Sequence, residues 1–208
     1  MNDVTLDHIR SWLGTGSINI FGRPFAGKDT QGTAVAALLG GTLLGGGDIL
    51  RGSQIPSHVD AALRRGELIP SQDYVNIVLP YLSKPEFKDA PLILSSVGRW
   101  IGEEKGVIDA LEAAGHELKA VIYLDLGEDM VRQRWQALAE HDNRGGRYDD
   151  TADILDKRLA EYREKTLPVI DEYERLGLLI RLDGSGTPDE VTTALIAQLA
   201  QRSGAVRA

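Results

Sequence analysis

Apolar and polar positions along this chain follow two rhythms. Short apolar runs lie at residues 18–21, 42–44, 92–94, 120–124 and 178–182, and they read as strands. The run Ala120-Val121-Ile122-Tyr123-Leu124 is apolar on both faces, as a strand covered on both sides must be. Between the runs, apolar side chains recur at helical spacing over residues 5–13, 28–39, 103–114, 128–138 and 188–201. Gly14, Gly40 and Gly115 end three of these helices. In the helix over 128–138, Val131, Trp135 and Leu138 fall near one face. Residues 48–82 break into small helical pieces at Gly52, Pro56, Gly66 and Pro70. After the cap candidate Thr151, a long helix should run to residue 175, bent at Pro168. The polar, glycine-bearing stretch over 140–150 reads as a mobile loop.

Strands that alternate with helices throughout predict an α/β fold with a parallel sheet between helices. At 208 residues the chain fits one domain with a real core. Composition changes this picture only at the edges. With no cysteine, the chain excludes a disulfide framework and Cys-ligated zinc and suits a reducing compartment. Its apolar runs fall short of a membrane span, and its acidic first residues lack an apolar signal core. The expectation is a cytoplasmic monomer without membrane or nucleic-acid partners. The formal net charge of −8 opposes broad nucleic-acid binding but not a small anionic substrate, because local cations decide that.

The chemistry concentrates where the first strand meets its helix. Gly22-Arg23-Pro24-Phe25-Ala26-Gly27-Lys28-Asp29-Thr30 follows the strand directly. A Gly-x-x-x-x-Gly-Lys turn between strand and helix builds a cradle of backbone N–H groups for phosphates, and the lysine ammonium reaches the outer ones. The strict pattern has a hydroxyl residue right after the lysine. Here Asp29 intervenes and Thr30 follows. Taken alone, the motif also describes a glycine-rich turn with a surface lysine.

Further segments, in order, resemble the adenylate kinase family of nucleoside monophosphate kinases. They are residues 22–31, Gly47-Asp48-Ile49-Leu50-Arg51, Gly66-Glu67-Leu68-Ile69-Pro70, residues 92–99, Arg147-Tyr148-Asp149-Asp150 with Lys157-Arg158-Leu159, and Leu182-Asp183-Gly184. The resemblance covers nearly the whole chain. It implies a three-layer P-loop NTPase fold with a five-stranded parallel sheet and helices on both faces. It divides one domain into a core (17–47, 83–139 and 151–201), an acceptor-binding insert (48–82) and a short lid (140–150). Residues 1–16 lie outside the match.

The resemblance also assigns roles. ATP would lie on Gly22, Pro24, Phe25, Ala26, Gly27, Lys28, Asp29 and Thr30, with Arg134 beside it. The acceptor monophosphate would meet Gly46, Asp48, Arg51, Leu68, Ile69, Gly98, Arg99 and Glu103. Lys28, Arg99, Arg134, Arg147 and Arg158 would act on the transferring phosphoryl group, for which planar guanidinium forks are suited. The neighbouring Arg132 is an alternative to Arg134, and Arg144 lies within the lid loop. Asp149 and Asp150 serve either lid closure or the start of the next helix.

Four departures from the family pattern matter. Ser95 stands where the family has a magnesium-organising aspartate, so Thr30 and Ser95 are the metal-shell candidates, with Asp29 as the compensating charge. Gly46 replaces a threonine, and Glu103 replaces the glutamine that reads adenine. A leucine, Leu138, replaces an arginine near the lid. Mg²⁺ is the implied cofactor, without zinc. AMP is the implied acceptor. GMP or another monophosphate, a small-metabolite kinase, and a nucleotide-binding regulator without catalysis are the alternatives.

Overall fold

The computed structural model describes residues 3–140 and 151–205. Five parallel strands form one sheet in the order β2-β3-β1-β4-β5, where β1 is Ser17–Gly22, β2 Thr42–Gly45, β3 Leu92–Ser95, β4 Leu118–Asp125 and β5 Leu179–Asp183. Helices cover both faces. This is the three-layer α/β architecture of P-loop NTPases that the alternating pattern predicts. Central β1 is buried along its whole length, and its apolar composition follows from that.

On one face lie α1 (Asp3–Leu13), α2 (Lys28–Leu39) and α10 (Pro188–Arg202), over a core that includes Ile9, Leu13, Ile20, Val35 and Leu199. Leu138, on α7 (Glu128–Glu140), packs against this core, which accounts for an apolar residue there. The other face carries α3 (Gly46–Gly52), α4 (Ser57–Arg64), α5 (Ser71–Val78) and α6 (Glu103–Ala113), with α9 (Leu167–Arg175) beyond them, while α8 (Ala152–Glu161) adds Leu155 and Leu159 to the first core. Its core includes Phe21, Tyr74, Leu94, Val107 and Tyr173.

Local signals explain most element ends. Gly40, at φ 71°, closes α2 in the left-handed region, where its N–H returns to the Ala36 carbonyl. Thr187 and Glu190 form a reciprocal capping box on α10. Thr151 caps α8 through the Ile154 N–H, as its position predicts. The expected bend at Pro168 takes another form. The ladder widens into a π turn over Tyr162–Thr166, and α9 restarts with Pro168 in its first turn. Proline brings no N–H to the turn before it, so the widened turn absorbs the lost partner.

The first helix, outside the family-like segments, packs on the core. Ile9 and Leu13 are fully buried, and Arg10 donates to the Leu38 carbonyl through Nε and Nη2 at 3.1 and 2.7 Å. Arg10 thus satisfies a carbonyl at the end of α2. Leu13→Ala should lower the free energy of unfolding by about 2–5 kcal/mol in urea titrations. A loss below about 0.5 kcal/mol, typical of surface sites, would show that α1 is an appendage rather than core.

Candidate active site

Strand order reverses between β1 and β3, and a cleft opens there at the carboxyl ends of both strands, where open α/β sheets place ligands. Residues 22–30 leave β1 and enter α2. Phe25 (φ 61°) and Gly27 (φ 91°) both lie in the left-handed region. Such reversals point successive N–H groups into a shared hollow, an anion-binding nest. Gly27 has no side chain with which to cap α2, and an uncapped helix N-terminus suits an anion. Gly22 is needed for packing: a Cβ there would stand 2.9 Å from the Leu124 carbonyl oxygen. The Lys28 ammonium donates to the Arg23 carbonyl at 3.0 Å and lines the cleft.

The opposite wall is the segment after β3, whose backbone N–H groups are held one by one. Ser96 N–H donates to the Ile20 carbonyl at 3.0 Å, Val97 N–H to Asn19 Oδ1 at 3.3 Å, and Gly98 N–H to the Tyr74 hydroxyl at 2.9 Å. The N–H groups of Arg99 and Trp100 both donate to Glu103 Oε2, at 2.7 and 3.0 Å. Asn19 also donates from Nδ2 to the Val97 carbonyl at 2.7 Å, so its amide clasps both polar groups of one residue. Ser96 (φ 53°) and Gly98 (φ 77°) are left-handed. A proline at Gly98 is incompatible with that φ. A Cβ at Gly98 would also meet Val107 Cγ2 at 2.8 Å.

The structure brings most of the expected residues to this cleft. Pro24, Phe25, Gly27, Lys28, Asp29 and Thr30 line the β1 side; Ser95, Arg99 and Glu103 line the β3 side. Gly46, Asp48, Arg51, Leu68 and Ile69 close it from the 46–69 stretch, and Arg158 enters from α8. Arg51 pairs with Asp48 at 2.6 Å. The Arg158 guanidinium lies over the Phe25 ring, 5.8 Å from its centroid. Ser95 Oγ donates to Asp29 Oδ1 at 2.7 Å, which joins the two walls.

On the β3 side, Arg99 Nε and Glu103 Oε1 are buried without a hydrogen-bond partner among the described residues. Burial also holds the Arg99 pKa below the usual guanidinium range, against the opposing pull of Tyr162, Tyr74, Glu161 and Glu103. The guanidinium nevertheless stays charged, since arginine keeps its proton in proteins.

Other expected residues stand outside the cleft. Gly22, Ala26 and Gly98 support it from behind. Arg134 reaches the back of the phosphate loop, where it donates to the Gly184 carbonyl at 2.7 Å and to the Ala26 carbonyl at 3.4 Å. Arg132 instead pairs with Asp156 at 2.7 Å on the surface. Arg144, Arg147, Asp149 and Asp150 lie outside the described residues.

Sequence reasoning missed Asn19, Tyr74 and Trp100. Asn19 carried a legible signal, being the one polar position inside the apolar run over 18–21. Trp100 Nε1 donates to the Ile69 carbonyl at 2.9 Å and so ties the 66–70 segment to the β3 loop.

A family model for adenylate kinase matches residues 20–178. An adenylate kinase of Thermus thermophilus is 33% identical over 188 residues, covering 88% of this chain and 96% of that protein. That of Parvibaculum lavamentivorans is 32% identical over 178 residues, covering 83% and 86%. That of Gemmatimonas aurantiaca is 32% identical over 210 residues, covering 88% and 98%. The chain belongs to the adenylate kinase family. It is a phosphotransferase of the nucleoside monophosphate kinase kind. No helix among the described residues is long and apolar enough to cross a membrane.

The clasp at Asn19 yields a test. Asn19→Leu keeps the volume but strands the Val97 N–H and C=O, at about 1–3 kcal/mol for each buried group left unpaired. Unfolding free energy should fall by that order. The KM for the acceptor should rise several-fold more than that for ATP, since the β3 loop loses its register. Equal changes in both would mean that the clasp only stabilises the fold.

Proposed function

We propose that the enzyme transfers the γ-phosphoryl group of MgATP directly to AMP, giving two molecules of ADP. The observation that carries this reading is that one cleft joins the phosphate cradle of residues 22–30 to Arg51, Arg99 and Glu103. In this reading residues 48–82 form the acceptor insert, residues 140–150 a lid, and the rest the core.

The cradle N–H groups and Lys28 hold the donor phosphates. Arg51 and the unpaired Nε of Arg99 hold the acceptor phosphate, which places its oxygen in line with the γ-phosphorus. A new O–P bond forms at the acceptor as the bond to the ADP oxygen breaks. Little covalent work falls to the protein, so positioning and charge carry the rate. Arg158, already at the cleft, and Arg147 of the lid neutralise charge on the moving group. Arg134 steadies the phosphate loop from behind and meets the phosphates once the lid closes. Closure keeps water from competing as acceptor.

When bound, magnesium would supply neutralisation of phosphate charge, held by residues of this cleft. The residues present fit such a hard cation: Asp29, Thr30 and Ser95 offer oxygen donors on the cleft wall. The Ser95 hydrogen bond fixes the direction of the Asp29 carboxylate. A carboxylate beside a phosphate cradle would repel the nucleotide unless a cation stood between them.

Glu103 favours a second reading, with GMP as acceptor. A carboxylate offers lone pairs only, and guanine presents two donors, N1–H and N2–H₂, where adenine presents one amino group.

Coupled assays with MgATP against AMP, GMP, CMP, UMP and dTMP decide between them. AMP should give the highest kcat/KM. Lys28→Ala should lower kcat by roughly 10²–10³, the usual effect of removing one charge-stabilising donor. Turnover with GMP alone would replace the AMP reading. In a second test, Mn²⁺ affinity of the ADP complex, followed by water proton relaxation, should weaken about tenfold or more in Asp29→Ala, the loss of one charge-assisted contact. Unchanged affinity would remove Asp29 from the metal shell.

A further inference from the structure

Two side chains on the acceptor side of the cleft have hydrogen-bonding capacity that the described residues leave unused. Glu103 is only 4% exposed, yet its Oε1 has no partner among them, since both loop N–H groups go to Oε2. Tyr74, on α5, is 5% exposed, and its oxygen accepts the Gly98 N–H at 2.9 Å. A phenol that accepts still has its own proton to donate. Burial pushes this phenol well above its usual pKa, so the proton is retained. Both side chains line the cleft beside Gly46.

Gly46 explains why the tyrosine is there. A Cβ at this position would stand 2.9 Å from the Tyr74 hydroxyl and 3.0 Å from the Ser96 carbonyl oxygen. The phenol hydroxyl from α5 therefore fills the space that a side chain on α3 would take. Absence of a side chain at 46 and presence of a tyrosine at 74 are two halves of one arrangement.

We infer that the Tyr74 O–H and Glu103 Oε1 together read the base of the acceptor monophosphate, the phenol donating to a ring acceptor and the carboxylate accepting from the neighbouring N–H. This rests on reading the cleft as a monophosphate kinase site. The pair requires a base edge with an acceptor beside a donor. Adenine offers N1 beside its amino group, and guanine offers O6 beside N1–H. Tyr74 is thus a specificity residue, supplied by the acceptor insert rather than by the phosphate-binding loops. Its second contact, to Gly98 N–H, ties base reading to the peptide next to Arg99.

The test is a cycle of Tyr74→Phe, Gly46→Ser and the double variant, each measured by steady-state kinetics and by calorimetric binding of AMP and GMP. Tyr74→Phe should raise the KM of AMP and of GMP about tenfold, with the KM for ATP unchanged. Gly46→Ser alone should impair acceptor binding. The double variant should recover part of it, because removal of the phenol oxygen makes room for a serine hydroxyl. Weakening of ATP by the same factor as the monophosphates, or no change, would overturn the inference. Should Tyr74→Phe fail to fold, Glu103→Gln serves: adding a donor at that position should shift the AMP-to-GMP preference, and an unchanged preference would overturn the pairing. If the unaltered protein turns over no monophosphate, the kinase reading fails, and the binding arms of the cycle still decide whether Tyr74 reads a base.

Discussion

The amide of Asn19 is the contact on which the site depends. It sits on the central strand and accepts from and donates to the backbone of Val97, just beyond the neighbouring strand. The two walls of the cleft begin at those two strand ends. One wall carries the glycine-rich turn of residues 22–30, and the other carries Arg99 and Glu103. A reaction that relies on positioning needs the two walls fixed to within a fraction of an ångström. Paired strands alone leave a loop free to pivot after its last ladder bond. Asn19 extends the pairing past the strand, and Tyr74 and Glu103 continue it to Trp100. With every N–H from Ser96 to Trp100 engaged, the loop has no slack, and the left-handed conformations of Ser96 and Gly98 are held in place.

Local charge, not net charge, governs the cleft. The chain is acidic, yet Lys28, Arg51, Arg99 and Arg158 all face one space. Two of these cations meet oxygens of the protein itself: the Arg23 carbonyl for Lys28 and the Asp48 carboxylate for Arg51. Arg99 is the exception, since its buried Nε has no acceptor among the described residues. A donor kept dry and unpaired costs stability, which makes sense if the compensating acceptor is the ligand.

Much of this was legible in the chain. The strands stood out as short apolar runs bounded by turn residues, with β1, β3 and β4 buried on both faces. Glycines fixed the helix ends, and the predicted span of residues 28–39 agrees with α2. What escaped was tertiary. Nothing near Pro168 in sequence tells a bend from a π turn, because the choice depends on how α8 and α9 pack. Tyr74 lies in a stretch that reads only as short helical pieces. Its role appears only when α5 folds back over Gly46, 28 positions earlier by number but in contact through the hydroxyl. Asn19 differed: a lone amide in an apolar strand is costly unless paired, so its presence signalled a partner. The partner's identity depended on which strand lay alongside.

The same logic shows how the stretch over 48–82 is connected to the rest. The segment over 66–69 runs between α8 and Trp100. A Cβ at Gly66 would stand 2.8 Å from Ile154 Cγ2 and 3.1 Å from Arg158 Cγ, so the backbone passes close against α8. Glu161, at the end of α8, accepts the Leu68 N–H at 3.1 Å and is paired with Lys165 on the π turn. Lys165 in turn lies over the Trp100 ring, 4.3 Å from its centroid. This stretch is therefore bound to the helix that carries Arg158 and to the loop that carries Arg99. In a regular helix the Glu164 carbonyl would accept from residue 168, and Pro168 has no N–H to give. The π turn resolves that conflict in the place where Lys165 must reach both Glu161 and Trp100. A backbone irregularity that costs one ladder contact thereby ties three parts of the acceptor side together.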